Sequence, residues 1–373
     1  MRDVRTGRNV LTHVPPHEEK RDGMTTVSTT PITTTPITPH PGMRLREIVF
    51  GAACAAAVRA AARLGVADAL GETSTGAEEL AAQLSVEPMP LKRLLRTLSC
   101  YGIFAETEDG KFVHTDMSRL LREDDPNSLR YISLWCTEPW TWEVWPRLDD
   151  AVRTGRSVFP EVFGKGFFDY LHQDAHESAQ VFNRAMTTSS MQSALEVAEL
   201  LDLAEVSEVA DIGGGQGHVL ASLLEKHPSV RGTLMDLPGV VARADARLRD
   251  GGPLAGRTRI VAGDCREEIP VQADLYIIKN ILEWDDDSTR RTLRNVMTAA
   301  RPGARVVIIE NLVDDTPSMR FTTAMDLLLL LNVGGAKHTR ESLMSRMTEA
   351  GLIVGDISPV NAYLHAFECA VPA

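Results

Sequence analysis

Asp211-Ile212-Gly213-Gly214-Gly215-Gln216-Gly217-His218 ends an apolar run that begins at Glu208 and opens directly into a helical pattern. Four glycines within five positions permit a left-handed backbone and let a ligand reach the main chain with no Cβ in the way, beside the free amides of a helix N-terminus. Turns of this kind serve NAD, FAD, nucleoside phosphates and S-adenosylmethionine alike. Further polar groups follow at strand-like spacing. Asp236, followed by Leu237, lies about twenty positions beyond the glycines, where a ribose needs a carboxylate acceptor. Asp264 and Cys265 end a third apolar run, suited to the amino edge of an adenine, and Lys279-Asn280 end a fourth. Such groups must stand on the carboxyl edge of a parallel, doubly wound α/β sheet, where these folds bind ligands. Asp211, Gly213, Gly215, Asp236, Leu237, Asp264, Cys265, Lys279 and Asn280 form the expected nucleoside-reading set.

The chain of 373 residues is long enough for two domains, and 43% apolar content suits a globular enzyme. A net charge of −12 without a basic patch argues against nucleic acid or an anionic membrane as partner. The five cysteines are scattered without metal-ligand spacing and read as reduced thiols, which with no visible leader or spanning segment suggests a cytoplasmic protein. The apolar run Leu327 to Leu331 is far too short to cross a bilayer. Residues 1–42 hold a Thr/Pro-rich tract with no periodic apolar face and are expected to be a disordered tail, with Met24 as an alternative start.

Residues 43–130 read as a helical domain. A stretch of small residues around Cys54 and Val58 precedes two short helices and a hairpin near Phe104 and Phe112. This is a winged-helix pattern, and Lys92, Arg93 and Arg96 stand on its second helix. Residues 131–195 are rich in aromatics, with four of the five tryptophans (Trp135, Trp140, Trp142, Trp145) inside eleven positions. Each one alone suits a core; together they suggest a flat, apolar, aromatic ligand. Residues 196–373 hold the sheet, closing with a hairpin-like pair near Ile353 and His365.

The succession Asp211-Ile-Gly-Gly-Gly-x-Gly217, Asp236-Leu-Pro238, Gly263-Asp264, Lys279-Asn-Ile-Leu-x-Trp284-x-Asp-Asp287, Glu310 and Gly334-Gly335 resembles the S-adenosylmethionine-dependent methyltransferases of the plant caffeate and bacterial polyketide O-methyltransferase type, over about residues 45 to 373. The resemblance implies a Rossmann-like catalytic domain with S-adenosyl-L-methionine as cofactor. It also implies a homodimer held by the winged-helix module, and a hydroxylated aromatic small molecule of secondary metabolism as acceptor. By the same resemblance the acceptor pocket would use Trp140, Phe182, Asn183, Met186, Trp284, Leu329 and Asn332. A dinucleotide enzyme would instead need Gly-x-Gly-x-x-Gly spacing and a second mononucleotide half.

Methyl transfer from a sulfonium needs alignment, exclusion of water and removal of the acceptor's proton. The resembling family places a histidine in Leu-His-Asp-Trp for that proton, oriented by two later glutamates. Here the segment is Leu282-Glu283-Trp284, shorter and without histidine. Lys337 stands where the second glutamate is expected, and Glu310 alone remains. Three readings follow. Glu283 replaces the histidine, although an ordinary glutamate lies about six pH units below a simple phenol. His338 swings into the vacated position, oriented by Glu310 or Glu283. Or the acceptor is a ring carbon ortho to a hydroxyl. Some relatives of this fold have also turned to hydroxylation or decarboxylation, with no methyl moved. Glu283, Glu310 and His338 are therefore the catalytic candidates. His218 reads as structural, and Asp285-Asp286-Asp287 reads as a helix start rather than a metal site.

Overall fold

The computed structural model describes residues 40–314 and 319–373. Most of the expected tail, and Met24, lie outside the described residues. Its last two positions correct the expectation, because a helix already runs over Pro41–Val49, with proline at a helix start where its missing N–H costs nothing. That helix belongs to the unit ending at Val49, and residues 50–373 form a second compact unit.

Within the second unit, Gly51–Leu64, Ala77–Leu84 and Pro88–Cys100 are helices, followed by an antiparallel hairpin of β1 (Phe104–Glu106) and β2 (Phe112–His114). Leu80, Leu95, Leu98, Phe104 and Phe112 are fully enclosed in one core beneath it. The Arg96 guanidinium on the second helix is turned back onto the hairpin, donating to Glu106 at 3.0 and 2.9 Å. A separate aromatic core gathers Trp135, Trp140, Phe159 and Phe167, and it includes Leu328 and Leu331 from the Met319–Val333 helix. Trp140 is edge-on to Phe159 and Phe167, with centroids 5.9 and 5.0 Å away.

The main sheet comprises β3 (Glu208–Ile212), β4 (Arg231–Asp236), β5 (Thr258–Ala262), β6 (Leu275–Lys279), β7 (Arg305–Glu310), β8 (Ile353–Pro359) and β9 (His365–Ala370). Among the described residues its order is β5-β4-β3-β6-β7-β9-β8. The first five are parallel, and β9 enters antiparallel between β7 and β8. β3, β4, β6 and β7 are buried along nearly their whole length, as continuous apolar runs covered on both faces require. The chain leaves β3 toward β4 on one side and returns to β6 on the other, so a crevice opens at the carboxyl ends of β3 and β6. The 25-residue helix His176–Leu200 ties the layers together, with Ala179 and Ala185 in the aromatic core and Ala194, Val197 and Ala198 in the sheet core. Among the described residues no helix is long and apolar enough to cross a membrane.

Candidate active site

The glycine turn is built around a buried carboxylate. Asp211, the penultimate residue of β3, is 1% exposed, and its Oδ2 has no hydrogen-bond partner among the described residues. Burial pushes this carboxyl up to about 7, with Lys279 pulling the other way. Gly213, Gly215 and Gly217 all have positive φ. A Cβ on Gly217 would meet Leu248 at 2.5 Å, whereas one on Gly215 would meet nothing within 4 Å. Gly215 therefore borders open space, where a ligand can reach the backbone.

Asp236 closes the turn from β4. Its carboxylate accepts from Gly215 N at 2.8 Å and from Leu237 N at 2.7 Å, leaving lone pairs for two hydroxyls, while the Leu237 side chain is exposed. Lys279 ends β6, and burial lowers it below the ordinary ammonium value although Asp211 and Glu310 oppose this. Asn280 adopts φ 53°, which few non-glycine residues do, and its Oδ1 is buried without a partner among the described residues. An open glycine, a twice-anchored aspartate and two orphaned buried oxygens fit a nucleoside bearing a cationic sulfur.

Two members of the expected set are occupied differently. Asp264 is clamped by Arg266, at 2.9 Å from Nε and 2.6 Å from Nη2, which holds its carboxyl below the usual range. The Cys265 thiol faces Thr292 at 3.9 Å in the core, and burial raises it to about 11, so only its backbone can serve a ligand. Arg266 also lies over the Trp284 ring, 5.3 Å from its centroid. Trp284 is thus covered by Arg266 on one face and packed against the core that holds Tyr276 and Ile278.

The loop from Leu282 to Trp284 is fixed on every side. Leu282 N donates to Glu310 Oε1 at 3.0 Å, and its carbonyl accepts from Thr289 Oγ1 at 2.9 Å and contacts His338 Nε2 at 2.6 Å. Ala336 N donates to the Glu283 carbonyl at 3.1 Å, and a Cβ on Gly335 would lie 2.3 Å from that same oxygen. The Glu283 carboxylate is paired with Lys337 Nζ, and Lys337 N donates to Asp326 on the Met319–Val333 helix at 2.6 Å. Glu310 is 1% exposed, and burial, reinforced by Glu283, raises its carboxyl to about 7. It holds the loop's backbone directly before Glu283.

One His338 ring nitrogen is on Leu282 O and the other faces Ser342 Oγ at 3.4 Å, so the ring fastens the loop, and burial lowers its basicity. His218 is likewise structural, paired with Asp245 at 2.9 Å. Asp285 caps the Asp286–Ala299 helix, accepting from Ser288 N at 2.9 Å. Of the acceptor candidates, Trp140 and Asn332 are buried, and Trp140 Nε1 and Asn332 Oδ1 have no partner among the described residues. Phe182 lies against Trp135 with centroids 5.8 Å apart, and Asn183, Met186 and Leu329 are half-buried. Sequence reasoning missed Arg266, and it noted Lys337 without pairing it to Glu283. Arg266 carried a local signal, two residues after Asp264 as a side-chain clamp requires.

The strand order and the groups on its carboxyl edge define an S-adenosylmethionine-dependent methyltransferase. The O-methyltransferase domain model matches residues 145–353, and the O-methyltransferase dimerisation domain model matches residues 46–124. The chain is 36% identical over 320 residues to the mitomycin biosynthesis 6-O-methyltransferase of Streptomyces lavendulae, covering 85% of this chain and 91% of that one. It is 32% identical to the phenazine O-methyltransferase of Lysobacter antibioticus, over 83% of this chain and 90% of the other. A methyltransferase of calicheamicin biosynthesis, solved in its S-adenosylhomocysteine-bound form, superposes with a TM-score of 0.78 at 32% identity, covering 89% of this chain and 98% of that one. The chain belongs to the O-methyltransferase family and is an S-adenosylmethionine-dependent enzyme.

Proposed function

We propose that this enzyme methylates a hydroxyl group of an aromatic small molecule in secondary metabolism, working as a homodimer in the cytoplasm. The observation that carries the reading is the Glu283 carboxylate, held on a rigid loop between the nucleoside edge and the helix that contributes Leu328 and Leu331 to the aromatic core. S-Adenosylmethionine, when bound, supplies an electrophilic methyl group whose leaving sulfur needs no acid. The chain's own work is then positional. Asp211, Gly213, Gly215, Asp236, Leu237, Lys279 and Asn280 are assigned to the donor, together with Asp264 and the Cys265 backbone. Trp140, Phe182, Asn183, Met186, Leu329 and Asn332 are assigned to orienting a flat acceptor and excluding water. Glu283 accepts the hydroxyl hydrogen, and Glu310 and His338 fix the loop that carries it.

The test is incubation with a methyl-labelled donor and a panel of hydroxylated aromatics, followed by NMR location of the label. Label on oxygen supports the reading. Label on a ring carbon favours activation by a neighbouring hydroxyl, and tight donor binding with no transfer favours a non-methylating relative. Sedimentation at micromolar concentration tests the dimer, for which the dimerisation-domain match is the support.

A further inference from the structure

Glu283 and Lys337 lie 54 positions apart and form a pair whose side chains are only 16% and 8% exposed. Buried ion pairs are a poor route to stability, because apolar residues of similar volume commonly do as well. One beside the reacting groups therefore calls for a chemical account. Lys337 stays charged: burial acts against it, yet Glu283 and Glu310 hold it above the ordinary ammonium value. Its backbone is fixed to Asp326, and Gly335 admits the loop so close to Glu283 that no side chain would fit. One Glu283 carboxylate oxygen is thereby committed to the ammonium, and an ordinary glutamate is in any case a far weaker base than a simple phenolate.

Building on the O-methylation reading, we propose that Lys337 is a positioning residue that commits one Glu283 oxygen and leaves the other to receive the acceptor's proton, so that the site selects aromatic hydroxyls acidified by a conjugated carbonyl. An ordinary phenol gives up its proton too reluctantly to such a partner. A hydroxyl conjugated to a carbonyl brings its own acidity. In the step, the acceptor's O–H bond breaks with its pair staying on the acceptor oxygen and its proton passing to the free Glu283 oxygen; the acceptor oxygen then bonds the methyl carbon, and the carbon–sulfur pair stays on sulfur.

The test compares a naphthol with its para-acyl counterpart as acceptors for the full-length enzyme. The parent is expected to favour the acyl compound by at least about tenfold in kcat/KM, a preference that shrinks toward parity in Lys337→Met and is kept in Lys337→Arg. A donor-free measurement accompanies it. The absorption spectrum of the bound acyl naphthol should shift toward the anion band in Lys337→Met and not in Lys337→Arg, since a Glu283 freed of its ammonium draws the proton more strongly. Equal use of both acceptors by the parent, or a uniform loss in Lys337→Met with the preference and spectrum unchanged, overturns the proposal. Absence of transfer to either acceptor despite donor binding defeats the O-methylation reading instead, and the donor-free spectrum still decides the role of Lys337. If Lys337→Met does not fold, the neutral pair Glu283→Gln/Lys337→Met replaces it. That double variant should bind the acyl naphthol without the anion shift, and an anion band there contradicts the proposal.

Discussion

The Asp211 carboxyl carbon lies 2.4 Å from the point where a Cβ on Gly214 would stand, so the buried acid and the bare backbone of the next turn share one space. Neither can change without the other moving. Gly214→Ala should displace Asp211 and weaken S-adenosylhomocysteine binding by tenfold or more, about 1.4 kcal/mol, read by calorimetry. An unchanged affinity would mean that the turn does not contact the donor.

Asp211 also makes apo stability depend on pH. Its folded carboxyl is raised to about 7 by burial, against an ordinary value near 3.8, so between these limits the folded state holds more protons than the unfolded one. Its contribution is fully present below the unfolded value and is lost as pH rises toward 7. Asp211→Asn should therefore gain stability relative to the parent across that window, on the order of 1–4 kcal/mol, and then level off. Parallel urea-midpoint curves for the two proteins across pH 4–8 would contradict this.

Asp236 and Asp264 should differ in weight. Asp236 anchors the Gly215 amide of the glycine turn and the Leu237 amide beside it, and Asp264 is neutralised by Arg266. Asp236→Ala is expected to cost about 2–3 kcal/mol in donor affinity and Asp264→Ala about 1 or less. The reverse order in calorimetry would assign the ribose to Asp264.

A stability prediction concerns Arg59 on the Gly51–Leu64 helix. It reaches Glu138 at 2.9 Å and the Leu134 carbonyl at 2.9 Å, and Ser178 donates to the same carboxylate, with Arg59 and Glu138 both largely buried. Arg59→Met leaves Glu138 buried without its cation and should cost about 3–5 kcal/mol, much of it recovered in Arg59→Met/Glu138→Leu. Additive losses in a denaturation cycle would rule out coupling between the two.

The glycine turn and the strand ends beside it were readable because their signals are local. Glycines at 213, 215 and 217 must take positive φ, Asp236 and Lys279 end buried apolar strands, and Asp285 with Ser288 forms a helix start. The closing pair near Ile353 and His365 was legible as strands, although the insertion of β9 between β7 and β8 is set by packing that no single segment encodes. The acceptor side was less legible. Lys337 meets Glu283 only because Gly335 lets two distant loops touch. Trp284 has one face covered by Arg266, itself held by Asp264, a contact that no single segment signals. The contact of the His338 ring with the Leu282 carbonyl likewise joins segments 56 positions apart.

Glu283 is the proposed group that receives the acceptor's hydrogen. Single-turnover methyl transfer by Glu283→Gln, at saturating donor, tests this most directly. The rate should fall by roughly 100-fold or more while donor affinity stays within about twofold. An O-methyl product formed at the parent's rate would contradict it.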